Sequence, residues 1–142
     1  MFSRAAGYAV QALTYLAEQP PGKLAGAREI ATATRIPMPF LWKILRNLSR
    51  KKLVRSFKGV RGGYELARSA ERISVEQILT AMQNNGDFMP CIFGLGACDE
   101  HRPCPLHDSW SGIRRELEGL LHRTTLSDLA VRGKPNRRRK SS

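Results

Sequence analysis

Three cysteines and a histidine lie close together in "CIFGLGACDEHRPCPLH", residues 91–107. They are Cys91, Cys98, Cys104 and His107, and the chain has no other cysteine. Six residues separate the first two cysteines, five separate the second and third, and two separate Cys104 from His107. Thiolate and imidazole groups are ligands for both zinc and iron. The segment is therefore a candidate metal site.

The spacing of the four residues bears on which metal the segment would hold. Structural zinc sites usually pair ligands two to four residues apart, and here only the step from Cys104 to His107 is that short. Iron–sulfur clusters are held by thiolates, and a wider loop can wrap them where Gly94 and Gly96 permit close backbone approach. The spacing favours an iron–sulfur cluster and leaves zinc and metal-free cysteines open.

The chain has a strong excess of basic residues. It carries 24 Lys and Arg against 12 Asp and Glu, a formal net charge of +12 over 142 residues. No acidic residue occurs between Ile30 and Tyr64, where nine Lys and Arg fall. Such a stretch favours a polyanionic partner, nucleic acid before an acidic membrane surface.

The elements of this basic half predict a winged helix-turn-helix. Apolar spacing indicates helices over 3–18, 27–36 and 37–54, with a tight turn at "TRIPMP" before the third. "LVRSFKGVRGGYELA" then indicates a β-hairpin with glycines at its tip. The fold class expected is mainly α with a small β-hairpin.

One face of the third helix and the tip of the hairpin are the candidate DNA contacts, because a major groove admits a helix and a wing reaches phosphates or a minor groove. A merely solvated basic face is the alternative. The candidate residues are Pro39, Trp42, Lys43, Arg46, Asn47, Arg50, Lys58 and Arg61.

A helix over 73–83, with Ser74 and Gln77 as its capping box, precedes the cysteine segment, and a longer helix of about 105–122 follows it. Apolar residues of the longer helix alternate spacings of four and three, as in a helix pair between two copies of the chain, although packing onto its own domain is also open. The seam consists of Leu106, Trp110, Ile113, Leu117 and Leu120.

These features divide the chain into four parts: a DNA-binding domain (1–83), the cysteine segment (84–104), a dimerisation helix with a short helix after it (105–131), and a disordered basic tail (132–142). No apolar run approaches the roughly 20 residues of a membrane span, and the N-terminus does not make a secretion signal. We therefore expect a cytoplasmic protein with reduced thiols.

The order of these parts resembles the IscR/NsrR-type family of winged-helix iron–sulfur transcription regulators. The stretches that carry the resemblance are "FSRAAGYAVQALTYLA", "MPFLWKILRNLSRKKLV", "KGVRGGYELA", "ISVEQILTAM" and the cysteine trio with "CPLHDSW". It covers residues 1 to about 131, and only the tail lies outside it.

The resemblance implies a homodimeric regulator that binds a palindromic operator and whose cluster controls its affinity for DNA. We expect this regulator to be a repressor. Cys91, Cys98 and Cys104 match the thiolate ligands, and His107 matches the fourth ligand of members that hold a 2Fe-2S cluster. Members with a 4Fe-4S cluster can use an acidic residue of the first helix, where this chain has Gly7. A 2Fe-2S cluster is therefore expected, with 4Fe-4S as the alternative.

Two departures from the family pattern stand out. The first cysteine gap is one residue longer than usual, and Trp42 occupies a position where the family pattern has a polar or acidic base-reading residue. Rival interpretations are a zinc-bound or thiol-redox winged-helix regulator and, from another class, an iron–sulfur electron-transfer or cluster-delivery protein. No arrangement of Ser, His and Asp in the sequence indicates an enzyme.

Overall fold

The structure, a computed structural model, describes residues 3–82 and 107–133. Its elements follow in the order α1 (Arg4–Ala17), α2 (Ala27–Thr34), α3 (Met38–Arg50), β1 (Val54–Phe57), β2 (Gly63–Leu66), a 3-10 turn (Ala70–Arg72), α4 (Val75–Ala81), α5 (His107–Arg123) and α6 (Leu126–Gly133). Helices dominate and the two strands form one antiparallel hairpin. The predicted fold class is confirmed.

Helix α1 is the element on which the others pack. Its N-terminus is capped by Ser3, whose hydroxyl accepts a hydrogen bond from the Ala6 N–H at 3.1 Å. The alanines at 6, 9 and 12 are fully buried, and these small side chains let neighbouring helices approach closely. Helices α2, α3, α4 and α6 all contact α1.

Helix α2 is shorter than predicted, because it ends at Thr34 and not at residue 36. Arg35 adopts the left-handed conformation with φ 61°, and its N–H donates to the Ala31 carbonyl at 2.7 Å. Pro37 also disfavours helical backbone at Ile36. The chain therefore turns sharply before α3, where Pro39 lies in the first turn as predicted.

The hairpin is attached to the helices through its second strand. The N–H of Ala25 donates to the Tyr64 carbonyl at 3.0 Å, and the N–H of Tyr64 donates to the Ala25 carbonyl at 2.8 Å. A Cβ added at Gly63 would lie 2.9 Å from the Ala25 carbonyl oxygen. A glycine is therefore required where the strand approaches the segment before α2.

Helices α4 and α6 contribute to the main core. The capping box predicted for α4 is present, with Ser74 accepting from the Gln77 N–H at 3.1 Å and Gln77 accepting from the Ser74 N–H at 3.0 Å. Beside it, the Val75 N–H donates to the Thr124 carbonyl at 2.8 Å. Leu126 of α6 is fully buried in the same cluster as Leu13. The described part of 105–131 is thus packed onto the N-terminal half of the chain.

One further difference concerns the C-terminal part of the chain. Helix α6 continues to Gly133 and so includes the first two residues of the predicted tail, 132–142. Residues 134–142 and the cysteine segment lie outside the described residues. None of the helices the structure describes has the length and apolarity to cross a membrane.

Gly62 generates a stability prediction, because a Cβ there would lie 2.0 Å from the Phe57 carbonyl oxygen. Gly62→Ala should lower the free energy of unfolding by about 1–3 kcal/mol, since backbone must shift. Gly7→Ala is the matched control: Gly7 is helical, and nothing lies within 4 Å of its added Cβ. It should raise stability by up to about 1 kcal/mol. Urea unfolding of both variants tests this, and equal stabilities would contradict it.

Candidate nucleic-acid interface

Helix α3 has two opposite faces with different environments. Leu41, Ile44, Leu45 and Leu48 are buried against the body of the chain. The other face carries Pro39, Trp42, Lys43, Arg46 and Arg50, all exposed and spaced at three and four residues. Because the leucine face is fixed in the core, the cationic face must point outward.

The cations of this face are available to a ligand. Within residues 3–82 and 107–133, the ion pairs are Lys23 with Glu29, Arg55 with Glu65, and His122 with Glu76. None of these pairs involves a cation of α3. Phosphate oxygens would therefore meet positive charges that no carboxylate of the described part neutralises.

The hairpin carries the remaining candidate cations at its tip. Lys58 and Arg61 are exposed between the two strands, and Val60 between them is 104% exposed. Arg55 lies on the strand and pairs with Glu65 across the ladder at 3.3 Å. The tip, and not the strand, is the cationic part of this wing.

Asn47 is placed differently from the other candidates. It is half-buried, its side-chain N–H donates to the sulfur of Met82 at 3.7 Å, and its carbonyl oxygen accepts from Arg50 at 3.4 Å. Met82 follows the last residue of α4. Asn47 therefore connects α3 to the end of α4, a role that the sequence did not indicate.

A second contact missed from the sequence holds α2 against α1. The Tyr15 hydroxyl donates to a Glu29 carboxylate oxygen at 2.5 Å, and the Lys23 ammonium lies 3.1 Å from the same oxygen. This hydrogen bond, with burial, raises the pKa of Tyr15 to about 12. Hydrogen bonds from Tyr15 and then Lys23 hold the pKa of Glu29 below its ordinary value. We call these three residues the Tyr15–Glu29–Lys23 network.

The predicted dimer seam of α5 divides between two environments. Ile113 and Leu120 are 57% and 51% exposed, and Leu117 is half-buried. Trp110 is only 4% exposed and packs within its own chain against Ala6 and residues of α4. The prediction that Trp110 lies in a dimer interface is therefore corrected, because its side chain is core. Leu106 lies outside the described residues.

The predicted metal ligands are placed only in part. Cys91, Cys98 and Cys104 lie outside the described residues, and His107 is the first residue of α5. Within the described ranges, no three His, Cys, Asp or Glu side chains are grouped to hold a metal ion. Any site built on the cysteines would therefore involve the segment between α4 and α5.

Polar atoms near the start of α5 bear on what that segment could hold. The side-chain atoms Trp110 Nε1, Ser111 Oγ and Arg114 Nε are buried and have no hydrogen-bond partner within the described residues. Trp110, Ser111 and Arg114 lie on one face of the helix, because they follow one another at intervals of one and three residues. Buried N–H donors without an acceptor are costly. This face suits a neighbouring hydrogen-bond acceptor.

Comparison with known proteins decides the family. A family model described as "Rrf2: Iron-dependent Transcriptional regulator" matches residues 2–132. The chain belongs to the Rrf2 family. This confirms the resemblance drawn from the sequence, and the chain is a DNA-binding transcription regulator of that family and not an enzyme.

Individual curated relatives agree with this assignment to a family of transcription regulators. An HTH-type transcriptional regulator of Aquifex aeolicus is 33% identical over 91% of this chain and 90% of its own length. The HTH-type transcriptional regulator IscR of Cereibacter sphaeroides is 31% identical over 86% of this chain and 81% of its own.

Two solved structures share the fold. CymR, the global cysteine regulator of B. subtilis, has a TM-score of 0.80 at 23% identity, covering 93% of this chain and 97% of CymR. T. potens IscR has a TM-score of 0.74 at 23% identity, and the match covers 96% of this chain and 90% of that IscR chain. These likenesses confirm the winged-helix fold of the Rrf2 chain.

The network predicts a late tyrosine titration. The raised pKa means that the folded chain favours neutral Tyr15. The contribution of this hydroxyl to the stability of the folded chain is therefore fully present below the ordinary pKa of 10.0 and is lost as the pH rises through about 12. Alkaline difference absorbance should show a step near pH 12 that Tyr15→Phe removes and Tyr8→Phe keeps. Glu29→Gln should move this step to lower pH. A curve unchanged by Tyr15→Phe would contradict the assignment.

The outward cations predict a salt-dependent effect on DNA binding. Lys43→Ala and Arg46→Ala should each weaken binding to all duplexes and reduce the slope of log affinity against log salt by about 0.9 for a lost phosphate contact. Arg72→Ala, which removes an exposed cation of the 3-10 turn, is the control and should leave the slope unchanged. Fluorescence anisotropy measures these slopes. Equal slopes in the wild type and in all three variants would place the interface elsewhere.

Proposed function

We propose that this Rrf2 regulator is a cytoplasmic, homodimeric repressor whose affinity for a palindromic operator is controlled by an iron–sulfur cluster. The observation that carries the DNA-binding part is the outward face of α3, whose cations have no ion-pair partner in the described part of the chain. The tip of the wing adds the exposed cations Lys58 and Arg61. Two such units, one from each copy, would contact two half-sites of an operator.

The proposed ligands of the cluster are Cys91, Cys98, Cys104 and His107. The description of the family as iron-dependent and the 31% identity to an IscR support this assignment. So do Trp110 and Arg114 of α5, which follow His107 in the chain and offer buried donors to thiolate or sulfide sulfur. When bound, the cluster supplies a redox-active iron centre that responds to iron supply, oxidants or nitric oxide.

The residues on either side of the cysteine segment offer a route from this site to the DNA. Met82 before the segment and Trp110 after it pack into one cluster with Ala6, Val75 and Leu79. Met82 also accepts the hydrogen bond from Asn47 of α3. A change in the segment would thus reach the recognition helix through these contacts and shift the DNA-competent population by about 1–3 kcal/mol.

The dimer part of the proposal rests on α5. Its exposed apolar residues Ile113 and Leu120 lie seven residues apart on one face, so a second copy of the helix could cover both. Leu117, half-buried against the cluster that contains Trp110, would lie at the edge of such an interface. With Leu106, these residues replace the five-residue seam predicted from the sequence.

The second candidate is a winged-helix regulator whose cysteines bind zinc or act as redox thiols without a cluster. The wide cysteine spacing that leaves this function open is a property of the chain itself, and CymR, a cysteine regulator, shares the fold. In this case too, the DNA-binding face would be the same. The two candidates differ only in what the cysteine segment holds.

Spectroscopy with metal analysis on anaerobically purified protein separates the two candidates. The cluster proposal predicts a brown protein with visible absorbance, iron and sulfide. His107→Ala should alter the absorbance and electron paramagnetic resonance spectra or reduce cluster occupancy, because it removes the fourth ligand. His101→Ala, the matched control within the same segment, should leave the spectra and the cluster occupancy unchanged.

The results of this spectroscopy and metal analysis that would contradict the cluster or its fourth ligand are equally specific. A colourless anaerobic preparation with stoichiometric zinc, or with free thiols and no metal, would contradict the cluster and support the second candidate. A brown protein whose spectra and occupancy are identical in His107→Ala would keep the cluster and remove His107 from its ligands.

A further inference from the structure

Exposed aromatic surface lies at the N-terminal half of α3. Trp42 is 57% exposed and Phe40 is 50% exposed. Large aromatic side chains are normally covered by a core or a partner. Phe40 is partly supported from α1, where its ring is 6.3 Å from that of Tyr8 and tilted by 53°. The unsupported apolar surface of this helix is therefore centred on Trp42.

The charges around Trp42 identify the class of partner that covers it. Lys43 and Arg46 flank it on the same exposed face, and no acidic residue occurs between Ile30 and Tyr64. An apolar protein surface would have to bury these cations, which is costly without acidic partners. Charge complementarity therefore favours the DNA duplex as the occupant.

Within a duplex, the groups that an aromatic side chain can contact are few. The faces of the bases are stacked on one another, so the indole ring would meet base edges. In the major groove, thymine alone presents a methyl group, next to the O4 acceptor. An indole offers an apolar body and a single N–H donor. Cytosine presents an amino donor and no methyl at the equivalent edge.

We propose that Trp42 is a specificity-determining residue that reads thymine methyl groups in the major groove. This inference rests on the proposed DNA-binding face of α3. It assigns sequence preference to Trp42, while Lys43 and Arg46 contribute binding energy through phosphates. The N-terminal residues of a recognition helix are those that reach base edges, and Trp42 is the fifth residue of α3.

The experiment first selects duplexes from a randomised pool with the full chain. Each thymine of the selected site is then replaced singly by deoxyuridine, which removes only the methyl group. At one or two positions in each half-site, the affinity of the wild-type chain should fall about 4-fold, the value expected for one buried methyl. Trp42→Ala should bind the thymine and deoxyuridine duplexes equally, so that the two changes are not additive.

Lys43→Ala is the matched control on the same helix. It should bind all duplexes more weakly than the wild type does and retain the full difference between thymine and deoxyuridine. Trp42 is exposed, so Trp42→Ala should keep the fold, which circular dichroism verifies.

Three results would overturn the inference. Deoxyuridine substitutions that cost nothing in the wild type, or cost the same in Trp42→Ala, would show that Trp42 does not read methyl groups. A change in the oligomeric state of Trp42→Ala with unchanged DNA affinity would show that the occupant is a protein. Failure to enrich any duplex over random DNA would overturn the proposed DNA-binding face itself, and is thereby distinguished from the other two.

Discussion

Burial of the leucine face of α3 is the interaction on which the DNA-binding face depends. Leu41, Leu45 and Leu48 are fully buried and Ile44 nearly so. Truncating one such side chain to alanine costs about 2–5 kcal/mol, which is a large fraction of the 5–15 kcal/mol that stabilises a typical domain. Rotating the helix about its own axis would therefore expose this apolar face at a cost of that order. Its cations are thus held in one direction, although they take no part in the packing.

The packing of the C-terminal helices provides the contacts through which the proposed regulation would reach that face. Helix α6 contributes Leu126 to the main cluster, and α5 contributes Trp110 to the smaller cluster that also holds the end of α4. The segment with the three cysteines is thus anchored at both ends to elements that contact the recognition helix or its support. The proposed regulatory group would be linked to α3 through the contact between Met82, which precedes the segment, and Asn47.

Much of this fold could be predicted from the sequence, because its signals are local. The capping box at Ser74, the proline in the first turn of α3 and the glycine-bounded hairpin each follow from short-range backbone chemistry. The winged helix-turn-helix followed from their order. The position of Trp110 could not be predicted in this way, because a period of three and four residues is the same for a dimer seam and for a face packed on its own domain.

The Tyr15–Glu29–Lys23 network and the contact from Asn47 to Met82 were also beyond the sequence. Their partners are separated by up to 35 residues, and no periodic pattern connects them. For the candidate DNA face, the acid-free stretch was sufficient, since charge that serves no core packing is visible in composition alone. The exposure of Phe40 could not be predicted from the sequence, because this residue adjoins the leucine stripe of α3 and could have been buried with it.

The most direct test of the central claim is the affinity of one protein preparation for a selected duplex and for random DNA, measured anaerobically before and after the cluster is removed. We expect the ratio of specific to random affinity to differ at least about 5-fold between the two states, as a coupling of 1 kcal/mol or more requires. The same ratio in both states, with DNA binding intact, would contradict control of the recognition helix by the cysteine segment.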